Sequence, residues 1–171
     1  MHNSKTSKIH NNRGSILIMQ GRLNTARGEL ESAVHDDPEN FSALTNLGYL
    51  LFRERKLDEA ILLYQKAIGL NPYYAVAHNN LGLVYMEKEQ YAHAREAFRN
   101  AISLDPAYAV SYLNLAQLCH LEGELNEAVE AYRACLKIKP GDVQALYNLG
   151  VVHLEQGLPD QAASSFVIQV W

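Results

Sequence analysis

Residues 75–108 read AVAHNNLGLVYMEKEQYAHAREAFRNAISLDPAY, and the pattern of this stretch recurs along the chain every 34 residues. Four of the five prolines keep this spacing: Pro38, Pro72, Pro106 and Pro140. A small residue keeps it as well, at Ala26, Ala60, Ala94, Ala128 and Ala162. Four positions after each alanine stands a bulky residue: Leu30, Tyr64, Phe98, Tyr132 and Phe166. Several independent columns, meaning sets of positions 34 residues apart, share one period, which is the signature of a repeat protein.

Each repeat is predicted to form two helices. In the first half of the quoted stretch, apolar or small residues have the i, i+3, i+4, i+7 spacing of one helix face: His78, Leu81, Gly82 and Tyr85. The second half continues this periodicity after a short polar stretch, in which a glycine recurs at Gly21, Gly123 and Gly157. Glycine at this point suits the left-handed conformation that ends a helix. The proline column ends the second helix, because the residue before proline is pushed out of the helical region.

The small columns predict how the two helices pack. Gly48 and Ala60, for example, remove side-chain volume where the helices of one repeat cross, so that their backbones approach closely. We expect the aromatic residue to fill the gap to the next repeat. One such hairpin cannot bury both of its sides, so the hairpins must stack. The sequence therefore predicts an all-α solenoid, a right-handed superhelix of about five helix-turn-helix repeats.

Composition narrows the class of protein. The chain has 171 residues, 48% hydrophobic and 20% charged, with a net charge of -4 and no run of Lys or Arg. This is ordinary globular composition, and it gives no electrostatic reason to bind nucleic acid. No stretch reaches the ~20 apolar residues that a membrane-spanning helix needs, and only two cysteines occur, Cys119 and Cys135. We expect a cytoplasmic protein with reduced thiols and no membrane insertion.

The pattern resembles the tetratricopeptide repeat family, whose consensus is W-x2-L-G-x2-Y, A-x3-F and P. The matching residues here are His78, Leu81, Gly82, Tyr85, Ala94, Phe98 and Pro106. The resemblance implies repeats at 7–40, 41–74, 75–108, 109–142 and 143–171, after a disordered tail over 1–6. Arg13 occupies the Leu column of the first repeat, so we expect a short or frayed first helix there, and the fifth repeat is incomplete.

The resemblance also implies that the first helix of each repeat lines a concave groove. A helical wheel selects the residues that face away from the packed columns, and these are the candidate peptide-binding residues: Asn46, Tyr49, Asn79, Asn80, Leu83, Met86, Leu113, Asn114, Gln117, Tyr147, Asn148 and Val151. Many are apolar, and contiguous exposed apolar surface marks binding sites. Partial cover by the neighbouring first helix is the alternative for any one of them.

One column of the groove is asparagine in four repeats: Asn46, Asn80, Asn114 and Asn148. A carboxamide both donates and accepts, so this column could pair with successive backbone groups of an extended peptide. It is similar to the asparagine ladder in the repeat superhelix of O-linked N-acetylglucosamine transferases. The alternative is that each asparagine forms only local hydrogen bonds.

No catalytic, metal-binding or cofactor-binding pattern is present. The seven histidines form no HExxH motif, and no P-loop, GxGxxG or GxSxG occurs. The two cysteines match no zinc spacing and are interpreted as core residues. We therefore expect neither a cofactor nor enzymatic activity.

Three hypotheses follow. The first is a protein-protein interaction scaffold that binds an extended or helical peptide of a partner in the groove. The second is the substrate-recruiting repeat portion of a larger enzyme, such as a glycosyltransferase. The third is self-association through an apolar C-terminal edge formed by Phe166, Ile168, Val170 and Trp171. The sequence identifies neither the partner nor the pathway.

Overall fold

The computed structural model describes residues 3–166, which form ten α-helices. The chain divides into two compact units, Met1–Lys88 and Glu89–Trp171. The helices of the first unit are α1 (Ser4–Met19), α2 (Leu23–Asp36), α3 (Phe41–Arg53), α4 (Leu57–Leu70) and α5 (Ala75–Glu87). The helices of the second are α6 (Tyr91–Leu104), α7 (Ala109–Leu121), α8 (Leu125–Ile138), α9 (Val143–Glu155) and α10 (Pro159–Phe166). The predicted all-α fold is confirmed.

Helices that follow one another in the chain pack as hairpins inside each unit. In the first unit, α1 packs against α2 and α3 against α4, while α1 also contacts α3 and α3 contacts α5. In the second unit, α7 packs against α8 and α9 against α10, and α7 contacts α9. Within each unit, therefore, first helices lie beside first helices, as the repeat pattern predicts. None of the helices described within 3–166 is both long and apolar enough to cross a membrane.

The turn after each first helix contains one residue in the left-handed region. Three of these residues are the predicted glycines: Gly21 (φ 72°), Gly123 (φ 78°) and Gly157 (φ 74°). The same column holds Arg55 (φ 66°) and Glu89 (φ 58°), which are the non-glycine residues with positive φ in the described chain. An L-residue pays a steric cost there that glycine avoids, so these two turns are locally strained.

The turn between hairpins contains the proline column. In three of these turns an aspartate or asparagine precedes the proline and its side chain accepts from the backbone N–H two residues later: Asp37, Asn71 and Asp105. These are Asx turns, in which an Asp or Asn side chain hydrogen-bonds the backbone two residues later. The hydrogen bond explains why Asp or Asn stands before the proline. Asn40 and Asp142 then cap α3 and α9 by accepting from the N–H groups of Ala43 and Ala145.

The small columns allow close helix crossings. A Cβ added to Gly48 would lie 2.8 Å from Cε1 of Tyr64, and one added to Gly14 would lie 2.6 Å from Cγ of Leu30. Tyr64 and Leu30 are buried against these glycines, and Ala26 and Ala60, four residues before them, are also buried. The predicted close crossings are present in these two hairpins. Tyr64 was expected only in the gap to the next repeat; it does cluster there with Leu81 and Val84 of α5, but its ring also lies against Gly48 of its own hairpin.

The prediction for the N-terminus is wrong. Residues 4–6 are not a disordered tail, and the first helix is not short: α1 begins at Ser4 and has 16 residues. Asn3 caps the helix by accepting from the Thr6 N–H, and the buried Ser7 donates from Oγ to the Ala33 carbonyl (2.7 Å). Arg13 does interrupt the Leu column, but Gly14 keeps the close crossing with α2.

Candidate functional site

The accessible part of the predicted groove in the first unit lies on α3 and α5. We call it the α3–α5 face and define it by Tyr49, Arg53, Asn80, Leu83 and Met86. Arg53 is exposed, and the other four are half-buried. Arg53 donates from Nη1 to the Tyr49 hydroxyl (2.8 Å), and its guanidinium carbon lies 5.8 Å from the centre of the Tyr49 ring. The face therefore combines apolar side chains with one positioned cation.

Two asparagines of the column, Asn46 and Asn80, form hydrogen bonds within the chain. Asn46 donates from Nδ2 both to Asn11 Oδ1 (2.8 Å) and to Ser15 Oγ (2.9 Å), which ties α3 to α1. Asn80 accepts from Asn79 (3.3 Å). The expectation that Asn46 offers its amide to a ligand is therefore corrected, since both amide hydrogens are already donated.

The last asparagine of the column, Asn148, is half-buried and lies near Tyr132 of the preceding hairpin. Burial raises the pKa of Tyr132 to about 12. Among the described residues, the buried Tyr132 hydroxyl has no hydrogen-bond partner.

Three other predicted groove residues are buried: Asn79, Leu113 and Asn114. Leu113 belongs to a core cluster with Ala145 and Leu149 of α9. Its position in the repeat faces the neighbouring first helix, α9, rather than the groove. The prediction that these three side chains are accessible to a peptide is therefore wrong, because neighbouring elements cover them.

In the second unit, the remaining predicted residues lie on α7 and α9: Gln117, Tyr147, Asn148 and Val151. Gln117, Asn148 and Val151 are half-buried, whereas Tyr147 is 61% exposed. The centroids of the Tyr147 and Phe166 rings are 6.0 Å apart. Beside them, His120 Nε2 lies 3.0 Å from Glu155 Oε2, which links the ends of α7 and α9.

The predicted C-terminal edge is only partly described. Phe166, the last residue of α10, is 42% exposed. Ile168, Val170 and Trp171 lie outside the described residues.

One polar cluster was not anticipated from the sequence. Arg95 of α6 donates to Glu122 (2.6 Å), Glu124 and Glu127 (3.0 Å), and its Nη1 lies 3.5 Å from Cys119 Sγ. Burial lowers the pKa of Arg95, but hydrogen bonds with Glu124 and Glu122 outweigh this effect and raise it. The sequence could not predict this cluster, because the glutamates lie 27 to 32 positions after Arg95 and no local pattern links them.

The same cluster groups Cys119, Glu124 and Glu127 closely enough to hold a metal ion. The Arg95 guanidinium already supplies the positive charge to all three residues. Burial also raises the pKa of the Cys119 thiol, which favours the neutral thiol over the thiolate that a metal requires. The cluster is best explained as a structural contact between α6, α7 and α8.

Comparison with protein-family models gives four matches. Three models are described as tetratricopeptide repeat and match residues 11–75, 75–108 and 97–130. The fourth is described as TPR repeat and matches residues 116–157. No curated protein matches the chain.

Solved structures show the same fold. A crystal structure of MamA protein is 28% identical, with a TM-score of 0.73 over 95% of this chain and 88% of that one. PilF of Pseudomonas aeruginosa is 18% identical, with a TM-score of 0.85 over 95% of this chain and 75% of that one. YrrB, described as a TPR protein with an unusual peptide-binding site, is 21% identical, with a TM-score of 0.67 over 95% and 84%.

Proposed function

Because the chain belongs to the tetratricopeptide repeat family, we propose that it binds a peptide segment of a partner protein on the α3–α5 face. Proteins with this fold are generally protein-protein interaction modules and typically non-enzymatic scaffolds. The proposal requires no catalytic group. The peptide is extended or helical, and it lies along the first helices of the first unit.

The observation that carries this proposal is the composition of the face. Tyr49, Leu83 and Met86 are apolar, yet they are only half-buried. They remain accessible because they occupy first-helix positions outside the packed columns. Methionine and tyrosine adapt to varied ligand surfaces, since the thioether side chain is flexible and tyrosine has an apolar body with a polar end. Arg53, held by the Tyr49 hydroxyl, adds a donor for a carboxylate. The matching ligand has one or two apolar anchors next to an acidic residue.

The affinity follows from a balance of terms. Two or three buried apolar ligand side chains contribute roughly 1.5 to 3 kcal/mol each, and hydrogen bonds contribute about 1 kcal/mol each. Ordering a flexible peptide costs about 2 to 5 kcal/mol. The remainder corresponds to a Kd in the millimolar to micromolar range, which suits reversible engagement.

The test is peptide selection from a random library, followed by fluorescence anisotropy with a selected peptide. We expect Leu83→Glu to abolish binding and Arg53→Glu to weaken binding only of peptides with an acidic residue. Leu62→Glu is the matched control, because Leu62 is 66% exposed on α4, outside the face. Equal binding by the Leu83→Glu variant, with its helical circular dichroism unchanged, would place the peptide elsewhere.

A further inference from the structure

The outer side of α1 exposes two positions that are buried in every other first helix. Ile9 is 46% and Ile16 is 54% exposed. The residues in the same two columns are all at most 2% exposed: Ala43, Ala77, Ser111 and Ala145 for the first, and Leu50, Val84, Leu118 and Val152 for the second. Lys5, Ile9, Asn12 and Ile16 follow one another at i, i+4, i+7 and i+11, which is the spacing of a helix-packing seam.

The first unit shows what covers this side of a first helix. Leu50 of α3, which corresponds to Ile16 of α1, packs in one cluster with Ala26 and Leu30 of α2. Asn46, which corresponds to Asn12, is bound by Asn11 and Ser15 of α1, as described above. The side of a first helix that α1 exposes is therefore the side on which a preceding hairpin packs.

The last described hairpin exposes the complementary surface. Tyr147 of α9 is 61% exposed, whereas its column is buried in the other first helices: Asn11, Thr45, Asn79 and Leu113. Phe166 of α10 is 42% exposed, whereas its column is fully buried in the other second helices: Leu30, Tyr64, Phe98 and Tyr132. Val143 and Leu154 add exposed apolar area on α9. This surface is the equivalent of the α1–α2 surface that packs against α3.

The two surfaces differ in charge. Helix α1 carries three exposed basic residues, Lys5, Lys8 and Arg13, and no Asp or Glu. Helices α9 and α10 carry two exposed acidic residues, Glu155 and Asp160, and no Lys or Arg. Opposite charge at the two surfaces favours their mutual approach and disfavours pairing of either surface with itself.

We infer that the α9–α10 surface of one copy of this chain packs against the outer side of α1 of a second copy. This contact between two molecules reproduces the packing of α1 and α2 against α3 within one molecule. In it, Tyr147 lies against Asn12 and Phe166 lies against Ile16, as their counterparts do inside the first unit. The interface is heterologous, because the two copies contribute different surfaces. It goes beyond peptide binding, since it leaves the α3–α5 face free.

The experiment measures mass in solution by light scattering and sedimentation over a range of concentrations. One variant carries Ile9→Asp and Ile16→Asp, and a second carries Tyr147→Lys and Leu154→Lys. All four positions are exposed, so both variants should remain helical by circular dichroism. We expect the wild type to associate as its concentration rises and each variant to associate at least roughly tenfold more weakly, the effect of a charge placed in an apolar contact. Leu62→Glu is the control and should associate like the wild type.

The decisive measurement is the mass in solution of a mixture of the two variants. Each variant retains the surface that the other has lost, so the mixture should regain association that neither shows alone. A wild type that stays monomeric at every concentration, or a mixture that stays monomeric, would overturn the inference. Anisotropy with the peptide selected for the α3–α5 face is run on the Ile9→Asp, Ile16→Asp variant, and it should be unchanged, which separates failure of this contact from failure of peptide binding.

Discussion

Replacing Gly48 with alanine tests the close crossing of α3 and α4. The new Cβ would lie 2.8, 3.1 and 3.2 Å from three atoms of the Tyr64 ring. Carbon atoms prefer separations of about 3.5 to 4.0 Å, so the ring or the helix must move. Overpacking of this kind costs roughly 1 to 3 kcal/mol. Alanine at the same column in α7, Ala116, shows that the fold tolerates the methyl group, so we expect destabilisation without loss of the fold.

The matched control is Gly28→Ala in α2. Gly28 also lies within a helix, but a Cβ there would meet nothing within 4 Å. Both substitutions gain the helix propensity of alanine, about 1 kcal/mol. Gly28→Ala should therefore raise the free energy of unfolding by about 1 kcal/mol. The difference between the two variants isolates the steric cost, and we expect about 2 kcal/mol.

Urea denaturation followed by circular dichroism measures both variants. The reasoning is refuted if Gly48→Ala stabilises the protein as much as Gly28→Ala does. A second background sharpens the test, because Tyr64→Leu removes the ring that the new Cβ meets. In that background, Gly48→Ala should cost less than it does beside tyrosine, and an unchanged cost would assign the effect to something other than the ring.

Three further predictions concern the free energy of unfolding, measured in the same way. Ser111→Ala should stabilise by about 1 kcal/mol, because its buried hydroxyl has no hydrogen-bond partner; destabilisation would reveal a partner. Glu89→Gly should stabilise by roughly 1 kcal/mol by relieving a positive φ, while Gly123→Ala should destabilise to a similar extent; the same sign for both would contradict the strain argument. Hydrogen bonds from Lys139 and from backbone N–H groups hold the pKa of Asp142 below its usual value. The resulting stabilisation is present above the unfolded pKa of about 3.9 and is lost as pH falls through the lower folded value. Asp142→Ala should therefore cost about 1 kcal/mol at neutral pH and less in strong acid, and a cost independent of pH would exclude a charged cap.

The sequence alone determined the repeat, the helices after α1 and the turns. The 34-residue period, the Asx-proline stops and the glycine column are local signals, because sterics within a few residues decide each of them. The small columns also predicted the close helix crossing at Gly48, whereas the contact of the Tyr64 ring with that glycine was found only in the structure. The family could be named from the same columns.

Only the tertiary structure decided which side chains remain accessible. The sequence pattern predicts that the Asn46 amide binds a ligand. In the structure, that amide instead donates both of its hydrogens to side chains of α1. The length of α1 depends in part on the Ser7 contact with Ala33, a residue 26 positions away. Residues of one column, such as Leu113 and Tyr147, look alike in the sequence but differ in burial. The physical reason is that exposure depends on whether a neighbouring helix lies against a given face, and the period places every residue of a column in the same position without saying what covers it.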